Sequence, residues 1–333
     1  MLGSAHAAPV PVQRQPKKVT HGEGLDTAKS QNKFVGDAVD LWKQQPRMDL
    51  TKFATTMLQA INGELATYGI PAVRVAFDSG IGASGVFSSK SWLVTVNVAR
   101  FTKKSGTTPL GGLSPTEVEE AVGTLYHEAR HADQNVLIIR VLLGKKTSVD
   151  DIVATTKIDK AIVEQVRGTK YADTPSAAKV THAERMFEVM YGKHNQLLAF
   201  LVEKSSAFAA MDALKQDDSD LTVAAPHIQT FATWHTTVLA PKVKAMTSAK
   251  NPSPFDAAVL GDLQGIDTAL SALLTQWRKW STPKATPDDA QFVRERAEDL
   301  VKSVFTAYNN LESEKDAFRV EASVKAAFRA RPK

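Results

Sequence analysis

The segment His127-Glu128-Ala129-Arg130-His131, set inside one well-delimited helix, constrains this chain more than any other feature. Ser114 has the side chain of an N-cap, Pro115 suits the first helical position, Glu117 completes a capping box, and Gly144 follows the last apolar turn. Four residues at about 100° each return to nearly the same azimuth, so both imidazoles project from one side, one turn apart, as two ligands of one ion require. Glu128 lies about 100° round from His127, beside such an ion, where a carboxylate can take a proton from a water. Val118, Val122, Leu125, Ala132 and Val136 form an apolar stripe opposite. The pattern predicts a helix with one packing face and one chemical face. The alternative, an exposed helix with two chance histidines, gives no reason for that partition.

Composition narrows the chemistry. The 333 residues suffice for one large domain or two ordinary ones, and two are expected. A formal charge of +5 is mildly basic, and Lys and Arg are dispersed among acids, a pattern that does not support nucleic-acid binding. With no cysteine, disulfides, a thiol nucleophile and thiolate zinc ligands are excluded, so a metal must rest on His, Asp and Glu. No continuous apolar run approaches a membrane span, and the N-terminus lacks the apolar core of a secretory signal, so export would need another route.

Residues 1–25 are rich in Ala, Pro, Gln, Lys and Gly without apolar period and read as a flexible leader, with His6 and His21 solvated. Helical spacing follows over 25–45 and 49–68, the second opening at Asp49 and stopping at Gly69. Residues 72–78 and 91–98 read as strands. Gly80, Gly82 and Gly85 between them match a dinucleotide fingerprint in spacing, but no helix follows, so a hairpin loop is expected. Helical patterns resume over 148–166 and, from Thr174 and Pro175, over a long helix to about Leu214 with a break at Gly192.

Two histidines leave a hydrolytic zinc site one protein ligand short. In the long helix Glu184, Glu188 and Tyr191 fall on one stripe. Glu184 is assigned as third ligand, Glu188 as a carboxylate orienting a ligand histidine, and Tyr191 as a candidate donor to the developing oxyanion. Glu188 exchanging roles with Glu184 is the nearest competitor, and both glutamates solvating a surface helix is the plain alternative. His182 lies about 200° from Glu184 and cannot share its ion. His194 is a candidate transition-state donor or a solvated histidine, and Asp133 is a support for the ligands or simply exposed.

From Asp217 the chain turns Ala-rich, and three or four helices are expected, broken by Pro226, Pro241, residues 251–254 and 281–287. Leu260, Leu263, Ile266, Leu270, Leu273, Leu274 and Trp277 make one stripe, and Phe292, Leu300, Val304, Tyr308 and Leu311 another, as in a helical bundle. Core or surface roles are expected for His227, His235, Trp277 and Trp280.

The chain resembles the gluzincins, zincin metallopeptidases in which HExxH on one helix is completed by Glu-x-x-x-Asp on a later one; here that element reads Glu184-Arg185-Met186-Phe187-Glu188, with Glu in place of Asp. It departs from the metzincin pattern, since Gln134 and Leu137 stand where Gly and a third His would be. Residues 126–134 with 184–192 are similar to bacterial peptidase domains associated with contractile injection systems and related toxins, a likeness covering roughly residues 30–215. The resemblance implies an α+β, mainly helical zincin-like domain over 26–215, followed by a helical bundle over 216–333. It implies a zinc-dependent endopeptidase acting on protein or peptide, with Glu128 as general base, His127, His131 and Glu184 on Zn2+, and the strand 92–98 lying along the cleft. It further implies a toxin or effector secreted or injected without a classical signal peptide, with a secretion or injection apparatus as partner. The rival expectation is a non-enzymatic helical scaffold with a degenerate zincin core.

Overall fold

The computed structural model describes residues 24–44, 48–101, 114–169, 174–214 and 220–331, so most of the expected leader, the loop at 170–173 and the start of the Ala-rich region lie outside the described residues. It is predominantly helical with one small sheet, an α+β architecture. Two compact units divide it: residues up to Asp78 with Gly85–Ser176 and the stretch from Ser323, and residues Ser79–Ser84 with Ala177–Ala322. The division falls at Ser176, ahead of the boundary at 215 expected from sequence.

In the first unit, helices α1 (Ala28–Gln44) and α2 (Leu50–Thr67) precede strands β1 (Arg74–Asp78), β2 (Gly85–Ser88) and β3 (Leu93–Asn97). Asp49 caps α2 as expected, its side chain accepting from Lys52 N, and Gly69 at φ 67° takes the left-handed turn that closes it. The sheet order is β1-β3-β2, with β1 parallel and β2 antiparallel to β3. Residues 72–78 and 91–98 are therefore parallel neighbours, and the expected hairpin loop contains a strand of its own. With a partner on each side, β3 is the central strand and leaves no edge for an extended peptide among the described residues, which corrects its expected place along a cleft; β1 and β2 are the outer strands, and β2 is the one that lies against α4. The turn into β3 puts Trp92 at φ 50°, held by its indole N–H donating to Pro71 O at 3.1 Å and by edge contact with Phe87.

After the short α3 (Val98–Phe101) comes α4 (Pro115–Gly144), opened by the expected capping box of Ser114 and Glu117. The sequence pattern fails in one respect: α4 has no open chemical face. Nearly every residue from Val118 to Val141 is buried, so the helix is the centre of its unit, surrounded on all sides. The expected helix over 148–166 is two, α5 (Val149–Thr156) and α6 (Lys160–Gly168), because Lys157 turns left-handed at φ 59° and Asp159 caps a new start.

In the second unit the expected long helix is interrupted at the expected place, around Gly192, between α7 (Ala177–Met190) and α8 (Gln196–Glu203), and again at Lys204 before α9 (Ser205–Ala213). Beyond them run α10 (Leu221–Trp234), a π-helical turn His235–Leu239, α11 (Ala240–Thr247), α12 (Pro254–Trp280), α13 (Pro287–Asn310) and α14 (Glu312–Arg329), whose last turns from Ser323 belong to the first unit. Pro226 and Pro241 do not break the chain: the first sits inside α10, and the π turn immediately before α11 absorbs the hydrogen bond the second cannot make. Prolines at 254 and 287 do start helices, behind caps Ser253 and Thr286. Leu263, Ile266, Leu270, Leu273 and Leu274 of α12 pack with Val293, Ala297, Leu300, Val301 and Val304 of α13, while Phe292, expected in that stripe, is exposed. Among the described residues one helix, α12, is long and apolar enough to cross a membrane by length and composition, although its Ala and Leu residues are interrupted by polar ones such as Asp262, Gln264 and Asp267.

Candidate metal centre

Helix geometry brings the two histidines together as their spacing requires. His127 Nε2 and His131 Nε2 lie 3.2 Å apart, the rings nearly perpendicular at 79° with centroids 4.9 Å apart. Two nitrogens bound to one zinc at 2.0–2.1 Å and the tetrahedral angle would lie about 3.3–3.4 Å apart. The pair is thus already spaced as ligands of one small ion. His131 Nδ1 faces the amide oxygen of Gln134 at 2.8 Å, and Gln134 is itself 1% exposed. An amide oxygen accepts only, so Nδ1 carries a proton, and the tautomer this selects leaves the Nε2 lone pair for a metal.

The third member comes from a residue that sequence reasoning did not weigh. His127, His131 and Glu314 form a buried group that could hold a metal ion, their ligand atoms all within 4.8 Å of one another. Glu314 stands on α14, the helix whose later turns are fixed to α4 by Lys325 Nζ on Glu120 at 2.5 Å and Arg329 Nε on Glu119 at 2.7 Å. A side chain added at Gly123 of α4 would meet the Lys325 side chain, which crosses the helix there and would have to shift. No local signal marked Glu314. It is 183 positions past His131, in a stretch, Glu312-Ser313-Glu314-Lys315, that reads as an ordinary charged helix start.

Glu128 is buried at 7% exposure beneath β2. A Cβ at Gly85 would stand 2.7 Å from Thr124 Cγ2 and 2.9 Å from Glu128 Cγ, so only glycine lets β2 lie directly over this carboxylate. Of the glycines matching a dinucleotide fingerprint, this one serves helix–strand packing.

The other expected site residues have different surroundings. Glu184 is half-buried on α7 and is not a member of the group with His127 and His131. Glu188 Oε2 accepts from Lys193 N at 3.0 Å, closing the turn after α7, where Gly192 makes room for it. Tyr191 begins that turn, its ring 6.2 Å from Phe187. His194 is buried, with Nε2 2.7 Å from Asp256 Oδ1, and Asp256 also takes Lys193 Nζ at 2.9 Å and Ser253 Oγ at 2.7 Å. His182 bonds Glu312 at 2.8 Å, and His235 bonds Asp267 at 2.8 Å. Asp133, expected as ligand support or exposed, is neither: it is buried, paired with Arg130, and accepts Leu25 N–H at 2.9 Å, while Tyr126 Oη donates to Leu25 O at 2.8 Å. That side of α4 fastens the chain entering α1.

Among known proteins, no family model, curated protein or solved structure matches this chain.

Proposed function

We propose that this protein is a zinc-dependent endopeptidase in which His127, His131 and Glu314 hold the ion and Glu128 moves the proton. The observation carrying this reading is the 3.2 Å convergence of two imidazole nitrogens in a buried group completed by a carboxylate, with a glutamate one residue after the first histidine. Two nitrogens and one oxygen from protein, with no thiolate in the chain, are the donor set of hydrolytic rather than structural zinc. Zinc in such a site lowers the pKa of water toward neutrality and polarises a carbonyl oxygen. Glu128 takes a proton from the attacking water as the new C–O bond forms, then gives it to the departing amine as the C–N bond breaks. Gln134 holds the His131 ring, and Gly85 keeps β2 close over Glu128. The resemblance of residues 126–134 with 184–192 to injection-system peptidase domains is the ground for reading the protein as an effector delivered into another cell, and its second element lies outside the metal group used here. Nothing in this mechanism draws on Glu184, Tyr191 or His194.

The test is Glu128→Gln. It should keep about one zinc per chain by elemental analysis and lose roughly 10²–10⁴-fold in casein cleavage, the usual contribution of a general acid–base. Retention of most cleavage would refute the assignment. A second reading, a metal that staples a non-enzymatic fold, is favoured by burial: His127, Glu128, His131 and Glu314 are each at most 8% exposed. Under it, zinc-loaded wild type would cleave nothing, and chelation would lower the melting temperature alone.

A further inference from the structure

We infer that Gln134 is a positioning residue for the metal centre, setting both the tautomer and the ring orientation of His131; this rests on the zinc reading above. The amide is 1% exposed, one helical turn beyond His131 on α4, with Oε1 2.8 Å from Nδ1. A buried imidazole with an acceptor at Nδ1 is locked with its proton there, which leaves the Nε2 lone pair directed at His127 Nε2 and at any ion held between them. The i, i+3 spacing makes the lock internal to α4: both side chains rise from adjacent turns of one helix, so the orientation survives movement of any neighbouring element. An amide oxygen polarises the imidazole less than a carboxylate would, so the centre is tuned toward weaker donation by His131 than a carboxylate partner would give.

The experiment compares wild type, Gln134→Met and Gln134→Glu in the full chain. Zinc affinity is measured by competition with a chromophoric chelator, alongside long-range 15N–1H spectra of the imidazoles in the zinc-loaded protein. The methionine variant, close in volume and lacking a strong acceptor, should bind zinc about 10–100-fold more weakly, the usual cost of losing such a partner. The glutamate variant should bind at least as tightly as wild type, with the His131 Nδ1 resonance moved downfield and that of His127 unchanged. Wild-type affinity in the methionine variant, or an unmoved His131 Nδ1 resonance in the glutamate variant, overturns this role alone. Failure of wild type to take up zinc overturns the metal reading and this inference with it.

Discussion

Single residues in this protein are held by steric limits as much as by bonds. Gly85 is the clearest, because a single added carbon must displace Thr124 or Glu128. Under the proposed peptidase function, Gly85→Ala is expected to reduce peptide cleavage at least tenfold while leaving zinc content at the wild-type value, read by parallel activity and metal assays; unchanged cleavage would show that β2 does not set the Glu128 position. His194 allows a prediction in pH. Burial pushes its imidazole below the ordinary 6.5, aided by Lys242 and Lys193 and opposed by the hydrogen bond to Asp256. Since the folded pKa lies below the unfolded one, the unfolded chain takes up its proton first as pH falls, and folding stability declines from about pH 6.5 downward until the folded form titrates as well. Above that value the group contributes no pH dependence. Urea unfolding at pH 7.5 and 5.5 should show a smaller loss of stability in His194→Gln than in wild type, and equal losses would contradict it. Asp256, held well below the usual carboxylate range by Lys193, Ser253 and His194, titrates outside this interval.

At the scale of elements, what was legible in sequence was whatever is fixed by local chemistry. The start of α4 was readable because Ser114, Pro115 and Glu117 satisfy the first backbone N–H groups from within three residues. Ser114→Ala should cost about 1 kcal/mol of stability in chemical denaturation, with no cost expected if α4 is held by its burial alone. Strands 72–78 and 91–98 were readable from their β-branched runs, but β2 was not, because four residues beginning with glycine carry almost no periodic signal. The split between α7 and α8 was legible at Gly192, in a turn closed by Glu188, whereas those between α5 and α6 and between α8 and α9 rest on single residues, Lys157 and Lys204, leaving helical backbone angles. The all-round burial of α4 was illegible for a different reason. A stripe of polar residues reads as a wet face, whereas Arg130, Asp133, Gln134 and Asn135 are buried there, Asp133 and Arg130 with distant partners in Leu25 N–H and Asp26, and Asn135 with the His131 carbonyl of its own helix.

Across the whole molecule, the metal reading joins what is local to what is not. Both histidines and Glu128 follow from five adjacent residues, so the sequence discloses them, and a helix period places the imidazoles side by side without help from the rest of the chain. A third ligand carries no such constraint, and helix periodicity alone made Glu184 look as suitable as any later glutamate; the group that could hold an ion contains Glu314 instead. Zinc content by elemental analysis of wild type, Glu314→Gln and Glu184→Gln, after dialysis against a weak chelator, tests this most directly. About one zinc per chain in wild type and in Glu184→Gln, with loss in Glu314→Gln, is the predicted result; full retention in Glu314→Gln with loss in Glu184→Gln would contradict it.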